Sequence, residues 1–199
     1  AKAAILILSG HDLNRSPDER QLLNSVANAL SLLANRLQDH ARLEAANLEL
    51  KHNALHDPLT GLPNRRYLIE ELERLLAQAQ RVDGAVHVAF IDLDGFKRIN
   101  DTHGHETGDE FLRQFAVQLR NLSRMGDMVA RYGGDEFVFV GKPGAGGNPA
   151  HERTVISERL RENTRGRYEL ENITLEYSGP SVGVVTWRSG EIADADVVL

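Results

Sequence analysis

The chain has 199 residues, a formal net charge of −6, and 26% charged against 41% hydrophobic residues. This mix is typical of a soluble globular protein, and the acidic balance argues against nonspecific nucleic-acid binding, which normally needs a basic surface. The absence of cysteine excludes disulfides and thiolate metal sites. The longest apolar run, Ala3 to Leu8, is far shorter than the roughly 20 residues that span a bilayer, so we expect no direct membrane contact.

The first residues predict a strand followed by a helix start. The run Ala3 to Leu8 is as apolar as a strand that is buried among neighbours, and no partner strand precedes it, so we expect a fragment of a longer protein. Ser16 suits a helix N-cap, Pro17 suits the first helical position, and Glu19 stands three residues after the cap. This spacing predicts a capping box.

Apolar residues then follow the 3-4 spacing of a coiled-coil seam. Because no Gly or Pro interrupts residues 18–57, one helix of about 60 Å is expected at ~1.5 Å per residue. Two interpretations stay open, an amphipathic helix packed on its own domain or a parallel two-stranded coil in a homodimer. Two consecutive steps of four indicate a stutter. The seam comprises Leu23, Val26, Leu30, Leu33 and Leu37, then Ala41, Ala45, Leu48, His52 and Leu55.

From Pro58 onward the pattern alternates between helices and strands around a tight hairpin at Gly133-Gly134-Asp135-Glu136. The pattern predicts an α/β domain without internal repeats. Helices are predicted at 67–80, 96–101, 105–122 and around 153–163, and strands at 85–91, 128–132, 137–140, 173–177 and 182–187.

Two pairs of carboxylates stand where predicted strands end. Asp92 and Asp94 follow a hydrophobic strand and, being two residues apart, point to the same side. Asp135 and Glu136 occupy the tip of the hairpin, where glycines let the backbone approach a ligand closely. Together the pairs predict an oxygen-rich pocket for Mg²⁺, which can activate a hydroxyl nucleophile and steady a phosphoryl leaving group. The alternative is solvated turn acids with a helix N-cap at Asp94.

The segment Arg131 to Phe137 resembles the signature hairpin of the GGDEF family of diguanylate cyclases. Three further blocks, His56–Arg66, Phe90–Thr102 and Gly104–Asp109, are similar to the family's other motifs in order and spacing. The resemblance covers about residues 54–199. It implies an α/β (α+β) fold, a GGDEF, palm-like domain whose central mixed, largely antiparallel sheet is flanked by helices, with a long N-terminal helix added.

The same resemblance implies a division of the chain into two parts. Residues 1–55 resemble, less specifically, the end of a GAF-like sensory domain and a signalling helix. Residues 56–199 would form the GGDEF domain, truncated before its last helix and strand. We therefore expect a cytoplasmic bacterial protein that is part of a larger sensor.

Membership of this family implies an enzyme that condenses two GTP into cyclic di-GMP and releases pyrophosphate. It would depend on Mg²⁺ (or Mn²⁺), act as a homodimer through the N-terminal helix and be inhibited by its product. The resemblance assigns the metal to Asp92, the Leu93 carbonyl, Asp135 and Glu136, and catalysis to Asp135, Glu136 and Lys97. Asp135 would also be the base for the ribose 3′-hydroxyl, while Lys97 would neutralise charge on the phosphates.

Substrate recognition is implied for a second group of residues. Guanine offers two adjacent donors that a carboxylate accepts together, whereas adenine lacks that pair, so a buried Asp109 would reject ATP. The resemblance assigns guanine recognition to Asn100 and Asp109 and places His105 beside the base. The substrate-binding set is completed by Phe96, Gly133 and Gly134.

The segment Arg124 to Asp127 resembles the RxxD inhibitory motif of the family, which binds product. Asp127 lies six residues before Gly133, which is about 20 Å along an extended strand, so this motif cannot belong to the active site. Arg159 matches the position of a further arginine that contributes to this product site in the family. On the residues alone, an RxxD at a helix end is usually structural.

Two other functions remain as alternatives. The first is a catalytically silent GGDEF domain that acts as a receptor for GTP or cyclic di-GMP. The second is a pure dimerisation module built on residues 18–55, which does not explain the carboxylates.

Overall fold

The computed structural model describes residues 16–143, 149–192 and 194–199, so the predicted strand Ala3 to Leu8 lies outside the described residues. The chain divides into two compact units, residues 1–52 and residues 53–199. None of the helices in the described ranges is both long enough and apolar enough to cross a membrane.

The first described element is one continuous helix, α1 (Pro17–Leu55), about 58 Å long at ~1.5 Å per residue. The predicted capping box is confirmed, because Glu19 N–H donates to the Ser16 hydroxyl (3.3 Å) and Ser16 N–H donates to the Glu19 carboxylate (3.0 Å). In the single chain the central seam side chains Val26, Leu30, Leu33 and Leu37 are exposed, Leu30 by 58% and Leu37 by 73%.

The second unit alternates helices and strands much as the sequence predicts. Its helices are α2 (Arg65–Arg81), α3 (Phe96–His103), α4 (His105–Leu122), α5 (Pro149–Thr164) and α6 (Ala195–Val198). Its strands are β1 (Ala85–Asp92), β2 (Met128–Gly133), β3 (Glu136–Gly141), β4 (Gly166–Glu169), β5 (Thr174–Tyr177) and β6 (Ser181–Arg188).

Four of these strands form one sheet in the order β2-β3-β1-β6, and each neighbouring pair is antiparallel. The sheet separates two apolar cores. One core gathers α4, α5 and the β4–β5 pair around Phe115 and Phe137, and the other gathers α2 around Leu72 and Val88. Because β1 and β3 are covered on both faces, they read in sequence as nearly continuous hydrophobic runs.

Strand β4 was not predicted, and it changes the position of its neighbour. The predicted strand at 173–177 pairs with β4 as a separate two-stranded sheet, so it does not extend the main sheet. Among the four residues of β4 only Tyr168 is buried. A segment this short, with one buried side chain, gives almost no hydrophobic pattern to predict from.

Candidate functional site

Carboxylates meet at the edge of the sheet where β1 ends and β3 begins. Asp92 pairs with Glu136 in the antiparallel register, and Asp135 stands directly before Glu136 in the turn. Loss of hydration, together with the nearby charges of Asp135 and Asp94, raises the pKa of Asp92 above its ordinary value, although the residue is exposed at the end of its strand. This edge therefore favours either a bound proton or a bound cation.

The turn that carries Asp135 is held against the end of β1. Gly134 has φ +50°, in the left-handed region that favours glycine. The N–H of Leu93 donates to the Asp135 carbonyl at 3.3 Å, and the Leu93 carbonyl accepts from Phe96 N–H at 3.1 Å. The carbonyl of Leu93 keeps a second lone pair and lies between the two acidic segments.

The oxygen atoms at this edge fit a magnesium ion that shares its ligands with a substrate. In the parts of the chain that are described, no group of three or more His, Asp or Glu side chains could hold a metal unaided. Mg²⁺ is usually bound by one or two carboxylates plus water and substrate phosphates. Asp92 and Asp135, with the Leu93 carbonyl, provide that smaller set.

Asp94 does not cap helix α3, so the N-cap predicted in the alternative interpretation is wrong. The N-cap position is Gly95, which offers no side chain to accept a hydrogen bond. The Asp94 carboxylate instead accepts from the Ser181 hydroxyl, at 2.8 and 3.0 Å to its two oxygens. This contact ties the start of β6 to the end of β1 and leaves the charge of Asp94 beside Asp92.

The hairpin is also clamped from its other side, by residues to which the sequence analysis gave no role. The Arg131 guanidinium donates twice to the Gly134 carbonyl, at 3.0 and 2.7 Å, and pairs with Asp57 at 3.0 Å. Asp57 also accepts from the N–H (2.8 Å) and hydroxyl (2.7 Å) of Thr60. Burial acts to raise the pKa of Asp57, but these hydrogen bonds and the Arg131 charge prevail and lower it.

Hydrogen bonds connect the last turn of α1 to strand β2. The Asn64 side-chain amide donates to the Ala54 carbonyl (3.0 Å), and the Asn64 N–H donates to the Leu55 carbonyl (2.9 Å). The Arg131 N–H donates to the Pro63 carbonyl at 2.9 Å. Because Arg131 also holds the hairpin tip, a short chain of contacts joins the end of α1 to the turn.

Asn100 and Gly108 form a close contact between α3 and α4. Gly108 is buried, and a Cβ atom at its position would lie 1.9 Å from Asn100 Oδ1 and 3.4 Å from the Phe96 ring. Glycine is therefore required here for Asn100 to lie where it does. The sequence analysis quoted Gly108 within a motif but missed this role, which a glycine inside a helical pattern could have indicated.

The other residues assigned to guanine surround this contact. Asn100, Phe96 and Asp109 are half-buried, and Phe96 stacks on Phe111 with ring centroids 6.4 Å apart. His105 is exposed and lines a cavity together with Asp109. Asp109 is thus less buried than the sequence argument supposed.

Lys97 lies in the first turn of α3, one residue after Phe96. Its side chain is exposed and has no ion-pair partner within the described ranges. The structure places it on the short helix that follows the acidic edge.

Arginine and aspartate side chains meet at the opposite end of the β2–β3 hairpin. The Asp127 carboxylate accepts from the Arg124 N–H at 2.9 Å and lies 3.9 Å from the Arg159 guanidinium. The Nε atom of Arg159 is buried and has no hydrogen-bond partner among the described residues. Burial and the charge of Arg124 lower the pKa of Arg159, although Asp127 acts in the opposite direction.

These residues share a cavity that depends on Gly141. A Cβ atom at Gly141 would lie 3.0 Å from Asp127 Oδ1 and 2.9 Å from the Phe139 ring. The Arg159 guanidinium lies over the same ring, 5.6 Å from its centroid. The cavity is also lined by His87, Lys142 and Glu152. The structure thus brings together the three residues predicted to bind product: Arg159 and Asp127 are half-buried, and Arg124 is exposed.

The comparisons with known proteins agree with this geometry. The sequence profile of the family described as "Diguanylate cyclase, GGDEF domain" matches residues 54–199. The chain belongs to the GGDEF family of diguanylate cyclases. The GGDEF domain is preceded by α1, a long helix like that expected of a coiled coil.

Named relatives include the diguanylate cyclase DgcP of Escherichia coli K12, which is 37% identical over 191 residues. The alignment covers 92% of this chain and 54% of that protein, so the chain spans about half the length of this relative.

Two solved structures are similar in fold. The coiled coil and GGDEF domain of DgcB from Caulobacter crescentus, in complex with c-di-GMP, matches with a TM-score of 0.71 and 26% identity, covering 85% of this chain and 87% of that one. The diguanylate cyclase SiaD from Pseudomonas aeruginosa, in complex with its activator SiaC, matches with a TM-score of 0.62 and 32% identity, covering 90% and 73%.

Proposed function

We propose that this chain is the catalytic part of an active diguanylate cyclase that converts two GTP into cyclic di-GMP and two pyrophosphates. The observation that supports the proposal is the meeting of Asp92 with Asp135 and Glu136 where β1 ends and β3 begins, because crowded carboxylates at a sheet edge favour a bound cation. The raised pKa of Asp92 is in keeping with this crowding. Asn100 lies in α3, which begins at Phe96, four residues after Asp92, and it lies against Gly108 of α4.

In this mechanism Asp92, Asp135 and the Leu93 carbonyl would hold Mg²⁺ or Mn²⁺, with support from Glu136. The bound cation would offset the triphosphate charge and lower the pKa of the attacking hydroxyl. Asp135 accepts the proton of the ribose 3′-hydroxyl, and that oxygen forms a bond to the α-phosphorus of the second GTP. The bond from this phosphorus to the bridging oxygen breaks and pyrophosphate leaves, while Lys97 balances charge on the phosphates.

Asn100 and Asp109 select guanine in this proposal. The Asp109 carboxylate accepts from the N1–H and N2–H groups of guanine, and adenine cannot supply both donors. Asp109→Ala should therefore weaken GTP binding and relax the discrimination against ATP. Unchanged preference for GTP over ATP in competition binding would show that guanine is recognised by other residues.

The two sites must face each other because each 3′-hydroxyl attacks the other nucleotide, which favours a two-fold homodimer. The exposed seam of α1, including Leu30 and Leu37, supports pairing of the two helices as a parallel coil. Such a tether would raise the effective concentration of one domain near the other.

Polar substitution of Leu30 and Leu37 tests this assembly. Specific activity should fall most at high dilution, and sedimentation should show dissociation of the dimer. Activity per protomer that stays flat on dilution, in a protein shown to be monomeric, would rule the mechanism out.

The second site would bind the product. Arg124 and Arg159 offer donors to phosphate or guanine, and Asp127 accepts from guanine. The Nε of Arg159, for which the described part of the chain offers no hydrogen-bond partner, supports a ligand at this position. Arg124→Ala should leave the initial rate unchanged and relieve inhibition by added cyclic di-GMP.

Incubation with GTP and Mg²⁺ tests the whole proposal. Formation of cyclic di-GMP, measured by chromatography, supports the cyclase. Nucleotide binding without turnover would favour the receptor function, and neither binding nor turnover would favour a dimerisation module.

A further inference from the structure

His87 is a buried polar side chain to which the mechanism above gives no role. It lies on β1 and is 1% exposed, among the apolar residues that cover the sheet. Its Nε2 atom is 2.8 Å from the Glu152 carboxylate and its Nδ1 atom is 2.8 Å from the Thr186 hydroxyl. Both ring nitrogens are therefore hydrogen-bonded, as burial of an imidazole requires.

The partners of His87 fix which nitrogen carries its proton. An ionised carboxylate can only accept, so Nε2 donates to Glu152. A hydroxyl can donate or accept, so Thr186 can satisfy Nδ1 in either protonation state of the ring. The bond between His87 and Glu152 is thus compatible with a neutral or a charged histidine.

This pair lies in the cavity that contains the predicted product site. Glu152 is in the first turn of α5, and Arg159 is seven residues later, which places both on one face of the helix. His87 is opposite Gly141 in the β1–β3 register, and Gly141 is the residue that keeps the cavity open. The bond to His87 therefore ties the face of α5 that carries Arg159 to the sheet.

We propose that His87 and Glu152 are positioning residues of the cyclic di-GMP site, because their hydrogen bond holds α5 where Arg159 faces Arg124 and Asp127. The inference rests on the proposed binding of product at this site. It extends the site beyond the motif residues to the wall formed by β1 and the start of α5.

The negative charge of Glu152 affects ligand binding in the opposite direction from its hydrogen bond to His87, so the two effects can be measured separately. An acid in a cavity for an anionic ligand repels that ligand, so its removal alone should tighten binding. A positioning residue has the opposite effect, because its loss lets Arg159 move away from the ligand. Glutamine at this position separates the two effects, since its amide oxygen still accepts from His87 Nε2 while the charge is gone.

The experiment measures cyclic di-GMP binding by calorimetry in the wild-type chain and in three variants. Glu152→Ala should bind about tenfold more weakly, the loss expected for one positioning hydrogen bond. Glu152→Gln should bind at least as tightly as wild type. Glu158→Ala, which removes an exposed acid from the same helix outside the cavity, should change nothing. Glu152 is substituted instead of His87 because removal of the buried His87 side chain would leave a cavity and destabilise the domain.

GTP affinity and the melting temperature, measured in parallel, identify any general damage to the fold. Unchanged or tighter binding by Glu152→Ala would overturn the inference, and so would equal weakening by Glu152→Gln. A failure of the product site itself gives a different result, namely no binding by wild type, or undiminished binding by Arg124→Ala.

Discussion

Acidic side chains lie at the turn of the β2–β3 hairpin and basic side chains at its open end. At both ends the pKa of one side chain is shifted away from its charged form. At the turn, the pKa of Asp92 is raised by loss of hydration and by the nearby charges of Asp135 and Asp94. At the open end, the pKa of the half-buried Arg159 is lowered by burial and by the charge of Arg124, and Asp127 offsets only part of this effect. In both places a nearby group of like charge disfavours the charged form of the side chain.

The crowded charges indicate where ligands of opposite charge would bind. A cation at the turn would reduce the repulsion between the carboxylates there. An anionic nucleotide at the open end would likewise reduce the repulsion between the arginines. The strands between the two ends have six residues each, which separates them by about 20 Å. One hairpin can therefore hold two ligands that never touch, and variants can affect one end without the other.

The largest effect is expected at the turn. Asp135→Ala should lower cyclic di-GMP formation about 1,000-fold or more, because it removes both a metal ligand and the proposed base. Binding of cyclic di-GMP at the open end, measured by calorimetry, should be unchanged. Turnover near the wild-type rate would remove both assignments of Asp135, and loss of product binding would show that the two ends are not independent.

The open end should respond to a single added methyl group. In Gly141→Ala the new Cβ would lie 2.9 Å from the Phe139 ring and 3.0 Å from Asp127 Oδ1, so the walls of the cavity must shift. We expect cyclic di-GMP affinity to fall roughly 10- to 100-fold, as for overpacking of about 1–3 kcal/mol. Gly183→Ala is the matched control, because a strand glycine should accept alanine where no atom of the described residues lies within 4 Å of its Cβ position. Equal affinity in both variants would contradict this description of the cavity.

A smaller effect is expected at the proposed guanine site, where α3 and α4 meet. The Cβ of Gly108→Ala would lie 1.9 Å from Asn100 Oδ1, so Asn100 must move, and the KM for GTP should rise roughly tenfold. Because the clash involves the Asn100 side chain, Gly108→Ala should add little once Asn100→Ala is present. Additive effects of the two changes on KM would show that Gly108 acts on something other than Asn100.

The sequence predicted the main elements because long periodic segments determine them. The α1 capping box and the β2–β3 hairpin both depend on neighbouring residues, and both are present. Pro180 cannot donate a ladder hydrogen bond, and β6 begins directly after it at Ser181. The position of β5 was not predictable, since its partner β4 shows almost no pattern.

The parts of the sites that sequence did not predict are contacts between residues far apart in the chain. Asp57 forms an ion pair with Arg131, and the two ring nitrogens of His87 contact Glu152 and Thr186. Periodicity reports which face of an element is buried but not which polar side chain it meets there. A histidine inside an otherwise apolar strand such as β1 is a signal that a polar partner must exist, though not which one.

The smallest effect concerns pH, and it separates the two ends by charge. The proposed binding of Mg²⁺ at the turn would require the ionised form of Asp92, and a raised pKa means that the proton stays bound to a higher pH than on an ordinary aspartate. Without a cation, the stability linked to Asp92 is present at low pH and is lost as the pH rises through this raised pKa. Mg²⁺ affinity, measured by calorimetry with GTP present, should therefore be lost at a higher pH than an unperturbed aspartate would predict.

Asp94→Asn removes one of the charges that raise the pKa of Asp92 and should shift the loss of Mg²⁺ affinity to lower pH. An identical pH profile in this variant would show that Asp94 does not influence the cation site, and the repulsion at the turn would then come from Asp135 alone.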